Sequence, residues 1–175
     1  MDWTRLPSSE RVDPHGVADL LARACEEARQ TTLAGTRFML SAREMLRATR
    51  VVEAHAALAR GPLYVGVQDA ANLDEQRDVY RTLLDQGVAV VAFGVGQGFL
   101  DLPGLAWVPV PDDSSQLASQ WFLVTEDPSP MALVGFEVGP ATQRIRWEGF
   151  TTRDARLVEL LAAHLASLHQ AVTVG

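Results

Sequence analysis

The sequence contains no lysine, and this absence excludes several kinds of chemistry. All fifteen basic residues in the 175-residue chain are arginine. A Schiff-base mechanism and a P-loop both need a lysine, so the sequence excludes both. The formal net charge is −7, so the field of the whole molecule repels nucleic acid and anionic membranes. We therefore do not expect direct nucleic-acid binding.

Cysteine and long apolar runs are also scarce. Cys25 is the only cysteine, which excludes an intrachain disulfide and favours a reducing, cytoplasmic location. No apolar run approaches the ~18 residues of a membrane span, so we expect no membrane association. The first residues lack the layout of a signal peptide. We interpret residues 1–15 as a flexible N-terminal segment and residues 16–172 as a single domain.

Apolar periodicity predicts helices at both ends of the domain and one between them. The first helix follows Asp13-Pro14 and places Cys25 on its buried stripe. Ser41 and Glu44 have the spacing of a capping box, which predicts a helix from there to about Ala59. The last helix begins near Asp154. Its main apolar stripe and the flanking apolar positions repeat along most of its length (Leu157, Leu160, Leu161, His164, Leu165 and Leu168; Ala155, Val158 and Ala162).

The centre of the chain predicts a βαβ unit with parallel strands. "LYVGV" (63–67) and "VAVVAF" (88–93) are both apolar, β-branched runs typical of buried strands. Between them, a helical pattern begins around Asn72 and Glu75 and ends at Gly87. A strand–helix–strand unit of this length favours a parallel pair with a right-handed crossover. "TRFML" before the second helix is a further short strand candidate.

The C-terminal half changes to a pattern typical of an antiparallel meander. "LAWVPV" (105–110) carries Pro109, which suits an edge strand. Short turns then join "QWFLVTE" (120–126), "MALVGFEV" (131–138) and "QRIRWEGF" (143–150), the last with clear alternation of apolar and polar residues. The predicted fold is α/β (α+β): one mixed sheet, with a central parallel βαβ unit and a C-terminal antiparallel meander, flanked by N- and C-terminal helices.

The glycine cluster in "VAVVAFGVGQGFL" (88–100) resembles a nucleotide loop but lacks its context. A dinucleotide site needs its glycines to open a helix, whereas Pro103-Gly104 forbids a long helix here. The cluster still follows a parallel strand, where open sheets tend to bind ligands. We therefore predict a small-molecule pocket beyond the strand ends, against the alternative of a simple turn. Its expected residues are Gln68, Asp69, Phe93, Gly94, Gln97, Trp107, Trp121, Arg146 and Glu148.

Other candidates for chemistry are few. The four histidines show no metal-ligand spacing, no serine lies in a nucleophile elbow, and the sequence identifies no catalytic residue, metal site or cofactor. Arg43, Arg47 and Arg50 share a helix face, which fits an anion site or a solvated face paired with Glu44 and Glu53. Trp107, Trp121 and Trp147 fit core or pocket wall. Glu137 and Glu148 could form a carboxylate pair, although cross-strand partners in Arg144 and Arg146 explain them as simply.

Two C-terminal segments carry a resemblance to a known family. "PDDSSQLASQWFLVTEDPSPMALVGFE" and the closing "RIRWEGFTTRDARLV" resemble the second half of the DICT domain, a sensory module of diguanylate cyclases and two-component systems. "TRFMLSAREMLRATRVVEAHA" and the central βαβ segment are similar to its first half, so the likeness covers roughly residues 16–170. Gln120 departs from the family pattern, in which an acidic residue is expected before the tryptophan.

The resemblance implies signal input rather than catalysis. We expect a stand-alone, non-enzymatic, cytoplasmic sensory domain that binds a small ligand or partner and relays its state to a separate signalling output protein. The broad apolar faces of the terminal helices favour a homodimer through those helices. The alternatives are a ligand-free protein-interaction or dimerisation module and, last, a small hydrolase that uses the meander acids.

Overall fold

The structure is a computed structural model in which a seven-stranded mixed sheet carries helices on both faces. It describes residues 14–30, 37–96, 102–111, 117, 119–139 and 146–174. The predicted flexible segment, residues 1–15, lies almost entirely outside the described residues. Within the described part of the chain, no helix combines the length and apolarity needed to cross a bilayer.

The elements follow the predicted order along the chain. The helices are α1 (Pro14–Gln30), α2 (Ala42–Ala59), α3 (Ala70–Glu75), α4 (Arg77–Asp85) and α5 (Ala155–Val174). The strands are β1 (Arg37–Ser41), β2 (Leu63–Asp69), β3 (Val90–Val95), β4 (Ala106–Pro109), β5 (Gln120–Thr125), β6 (Met131–Val138) and β7 (Arg146–Thr152).

The sheet has the strand order β1-β7-β6-β5-β2-β3-β4. β2 and β3 are parallel, which confirms the predicted βαβ unit, and β3 also pairs in parallel with β4. β5, β6 and β7 form the predicted antiparallel meander, and β5 joins it to the parallel half through β2. Pro109 lies on the edge strand β4, where its missing N–H interrupts no ladder. The predicted mixed α/β fold is therefore confirmed.

Two apolar layers bury the two faces of the sheet because successive strand residues point to opposite sides. On one face α1 and α5 cover β-strand residues such as Phe93, Phe122 and Phe150. On the other face α2, α3 and α4 cover residues such as Leu123, Leu133 and Trp147. The second face carries the cavity described below.

Local hydrogen bonds explain where the helices on that second face begin. At α2 the predicted capping box is present: the Glu44 N–H donates to Ser41 Oγ, and the Ser41 N–H donates to Glu44 Oε2 at 2.8 Å. The next helix starts earlier than Asn72, because the Asp69 carboxylate accepts from the Ala71 N–H at 2.7 Å and caps α3 directly after β2. Gln76 then separates α3 from α4.

The apolar faces of the terminal helices pack largely inside the fold, which removes the argument for a homodimer through them and leaves the homodimer a prediction. Val158 and Ala162, the flanking positions that favoured a second contact, are 0% and 1% exposed and belong to the same core as Leu161. Cys25 is buried in α1 as predicted. Gln120 is also buried, and its Nε2 donates to the Ala18 carbonyl at 3.2 Å, a bond between β5 and α1 that a carboxylate could not donate.

Candidate functional site: a tryptophan-lined cavity

A cavity of about 340 Å³ lies between the sheet and the helices α2, α3 and α4. This volume is at the lower end of the range found for small-molecule sites. We call it the tryptophan cavity, because two tryptophans of the sheet form part of its wall. Its described lining residues are Ala42, Leu46, Thr49, Glu53, Val67, Gln68, Asn72, Glu75, Gln76, Tyr80, Trp121, Glu137 and Trp147.

Trp121 and Trp147 form an edge-to-face pair in the sheet wall of the cavity. They lie on β5 and β7, which β6 separates, so their backbones are at least about 9.5 Å apart. Their ring centroids are nevertheless 5.2 Å apart with an interplanar angle of 86°. Trp121 is in register with Gly135 and Trp147 with Glu137, two residues further along β6, so the two side chains meet diagonally across that strand. The pair therefore forms a continuous aromatic surface across three strands.

The indole N–H of Trp147 has no hydrogen-bond partner in the described part of the chain. The residue is 3% exposed, so bulk water does not satisfy this donor. A buried donor without a partner costs roughly 1–3 kcal/mol, and native proteins retain few of them. The side chain forms part of the cavity wall, but the Nε1 atom itself is inaccessible to solvent, so this donor lies behind the surface that an occupant would contact.

Glu53 is the buried carboxylate of the cavity. Its Oε2 accepts from Arg50 Nη1 at 2.6 Å, and Tyr80 hydrogen bonds to the same side chain. Burial raises the pKa of the Glu53 carboxyl above its usual value of 4.5, although the Arg50 hydrogen bond opposes that rise. Burial also raises the pKa of Tyr80 well above 10.0, and the nearby Glu53 adds to the effect. Tyr80 is therefore a neutral hydrogen-bond donor over the whole physiological range.

Arg50 connects the helices that enclose the cavity. Besides its ion pair with Glu53, it donates from Nη2 to the side chain of Gln76, at the junction of α3 and α4. The pairing of Arg50 with Glu53 matches the sequence-based alternative, but Glu53 is 3% exposed and so does not lie on the solvated face that this alternative described. The network fixes Glu53 on α2 against the α3–α4 junction.

The end of β2 reaches the cavity in an unusual backbone conformation. Gln68 has φ of 65°, a left-handed value that is uncommon for a residue other than glycine, and it follows a register shift between β2 and β3. Asn72 Nδ2 donates to the Val67 carbonyl at 3.0 Å and supports this turn of the chain. Backbone strain of this kind concentrates at functional sites, where the surrounding structure holds it in place.

Two of the residues predicted to form a small-molecule pocket, Gln68 and Trp121, line the tryptophan cavity. The residues predicted for that pocket in and around β3 and β4 lie elsewhere. Phe93 is in the core on the opposite face of the sheet. Asp69 caps α3. Trp107 packs so closely over Gly94 that a Cβ there would come within 2.8 Å of its ring. Gln97 lies outside the described residues.

Arg146 and Glu148 lie on the opposite face of the sheet from Trp147, their neighbour on β7. Glu148 forms an ion pair with Arg37 of β1 at 3.4 Å. Glu137 is in register with Trp147, so it shares the cavity face, whereas Glu148 is in register with Phe136. Glu137 and Glu148 therefore point to opposite faces and form no carboxylate pair, which removes the basis of the hydrolase alternative.

Sequence patterns did not predict the helical half of the site. Glu53 was expected only as an ion-pair partner and Trp147 only as core or pocket wall. A glutamate on the apolar side of α2, next to Val52 and three residues before Ala56, is the signal that could have identified Glu53. The described residues contain no group of three His, Cys, Asp or Glu side chains able to hold a metal ion.

Comparisons with known proteins identify structural neighbours alone. No protein-family model and no curated protein matches the chain. One solved structure with a similar arrangement is TrmBL2, an archaeal chromatin protein described as showing a novel mode of DNA binding. It is 12% identical with a TM-score of 0.44, and the match covers 87% of this chain and 58% of that one. The chain thus spans less than two thirds of TrmBL2.

A second neighbour is NucT from Helicobacter pylori. It is 11% identical with a TM-score of 0.48, and the match covers 79% of this chain and 95% of NucT. At these identities and TM-scores, neither neighbour assigns a function to this chain. Because no family model matches, the resemblance to the DICT family stays a prediction.

Four of the sequence-based predictions find no support in these comparisons and are withdrawn. Neither neighbour is described as a sensory domain, which concerns the signal-input function and the signalling output partner. The assignment as a non-enzyme and the statement that direct nucleic-acid binding is not expected are withdrawn with them, TrmBL2 being described as showing a novel mode of DNA binding.

Proposed function

We propose that this protein binds a small organic molecule in the tryptophan cavity. The observation that carries the proposal is a cavity of about 340 Å³ whose wall combines the edge-to-face pair of Trp121 and Trp147 with the buried side chain of Glu53. The apolar or aromatic body of a bound molecule would pack on the tryptophan pair.

Two further features support binding at this place. The cavity combines apolar walls with a few polar groups that the Arg50–Glu53–Gln76 network holds in position, which is the usual composition of a small-molecule site. The left-handed Gln68 keeps the end of β2 at the cavity. The proposal concerns binding alone and includes no signalling step. A cytoplasmic location is part of it, supported by the single cysteine.

The experiment is a screen of a small aromatic fragment library by ligand-observed NMR, followed by measurement of Kd for each hit. Trp121→Phe should weaken the hits by roughly 3- to 10-fold, because it removes part of the aromatic contact. Trp107→Phe is the matched control: Trp107 is also a half-buried tryptophan of the sheet, but it does not line the cavity. The absence of hits, or equal loss of affinity in both variants, would contradict the proposal.

A further inference from the structure

The charged groups of the tryptophan cavity all have the same sign. Glu53, Glu75 and Glu137 line it, and its described lining includes no arginine or histidine. Glu53 lies inside, at 3% exposure, whereas Glu75 and Glu137 are exposed residues at the rim. A concave surface with carboxylates of one sign focuses a negative potential and attracts cations.

Glu53 retains capacity for another hydrogen bond. An ionised carboxylate offers about four acceptor positions. Arg50 and Tyr80 account for two of these contacts. Arg50 donates a hydrogen bond to Gln76 and is not among the residues that line the cavity. Because Glu53 lines the cavity, a donor on a bound molecule would add to this ion pair rather than replace it.

The aromatic wall favours the same kind of ligand. Trp121, Trp147 and Tyr80 all line the cavity, and the ring faces of tryptophan attract a cation within about 6 Å. An anion would meet three carboxylates and a negative ring face. A neutral molecule would gain the apolar contact but no charge attraction to the carboxylates of the cavity.

From these contacts we infer that the ligand is a small organic cation, with a protonated nitrogen directed to Glu53 and an apolar or aromatic body against the tryptophan pair. The inference rests on the proposed function, because it specifies the ligand class of the same cavity. It also assigns separate tasks: the carboxylates select the charge, and the tryptophan pair contacts the apolar body of the ligand.

The test compares three probes that share a ring and differ in charge: benzylamine, a cation at neutral pH, benzyl alcohol and benzoate. We expect benzylamine to bind at least about 10-fold more tightly than benzyl alcohol, as for a hydrogen bond to a charged group, and benzoate to bind most weakly. Equal binding of the amine and the alcohol, or tighter binding of benzoate, would overturn the inference and leave the proposed function standing.

Two variants test which carboxylates give the cavity its preference for a cation. Glu53→Gln should remove most of the preference for the amine over the alcohol, and Glu137→Gln, an exposed site that does not endanger folding, should reduce it several-fold. Glu159→Gln, an exposed position on α5 across the sheet, is the control and should leave the preference unchanged. An unchanged preference in both cavity variants would overturn the inference. Failure of all library fragments to bind would instead overturn the proposed function.

Discussion

At the residue scale, Glu53 illustrates how one buried carboxylate is held by opposing effects. Burial disfavours its charged form and is the largest influence on its pKa, while the hydrogen bond and charge of Arg50 favour the ionised form. The net effect raises the pKa. Folding therefore favours the protonated carboxyl relative to the unfolded chain, the reverse of the usual behaviour of a carboxylate in an ion pair.

The raised pKa of Glu53 leads to a prediction for the Glu53→Gln variant. Because the folded-state pKa lies above 4.5, the contribution of Glu53 to stability is fully present below the unfolded value and is lost as pH rises through the folded value. The glutamine variant lacks this titration. We expect its free energy of unfolding, relative to the parent protein, to decrease when pH is lowered from neutrality to about pH 4.

Urea denaturation of both proteins at several pH values measures this difference directly. Glu159→Gln, exposed on α5, provides the control for a carboxylate removed from the surface. If the free energy of unfolding of Glu53→Gln, relative to the parent protein, stays constant with pH or rises on acidification, burial does not dominate the pKa of Glu53.

At the element scale, the meander depends on two glycines that face each other in register. Gly135 on β6 and Gly149 on β7 are partners in the ladder on the cavity face. A Cβ at Gly149 would meet the backbone oxygen of Val134 at 2.0 Å, whereas a Cβ at Gly135 would meet the end of the Met45 side chain at 2.9 Å. Backbone cannot move aside as a methionine side chain can.

Alanine substitutions at these two positions should therefore differ in cost. We expect Gly149→Ala to lower the free energy of unfolding by about 2–3 kcal/mol, since the strands must shift, and Gly135→Ala by about 1 kcal/mol or less. Each variant is the control for the other, because both replace a glycine by alanine on the same face of the same sheet. Thermal or chemical denaturation measures the loss of stability in each. Equal losses would mean that the β6–β7 contact adjusts more easily than this geometry indicates.

The elements that sequence patterns predict well are those whose signals are local. The Ser41–Glu44 capping box predicts the start of α2, because both partners lie within one turn. The parallel β2–β3 pair follows from a short helical crossover. The start of α3 was missed because Asp69 serves as both the last strand residue and the helix cap, and a strand pattern gives no sign of the second role.

At the scale of the whole molecule, the site could be predicted only in part. Gln68 and Trp121 were expected because they follow or begin strands, and strand order can be inferred from connections. Glu53 comes from α2 and Trp147 from β7, so their meeting depends on strand register and on the side of the sheet that each helix covers. The choice of face likewise separates Arg146 and Glu148 from the cavity. A local sequence pattern predicts neither the strand register nor the face of the sheet that a helix covers.

The most direct test of the account is the indole N–H spectrum of the protein during titration with the tightest-binding fragment. The chain has four tryptophans, and single Trp→Phe variants assign their resonances. We predict that the Trp147 indole resonance shifts as the fragment packs against the tryptophan pair, with the Trp107 resonance unchanged. A saturating fragment that moves Trp107 and leaves Trp147 in place would contradict the claim that the tryptophan cavity binds the ligand.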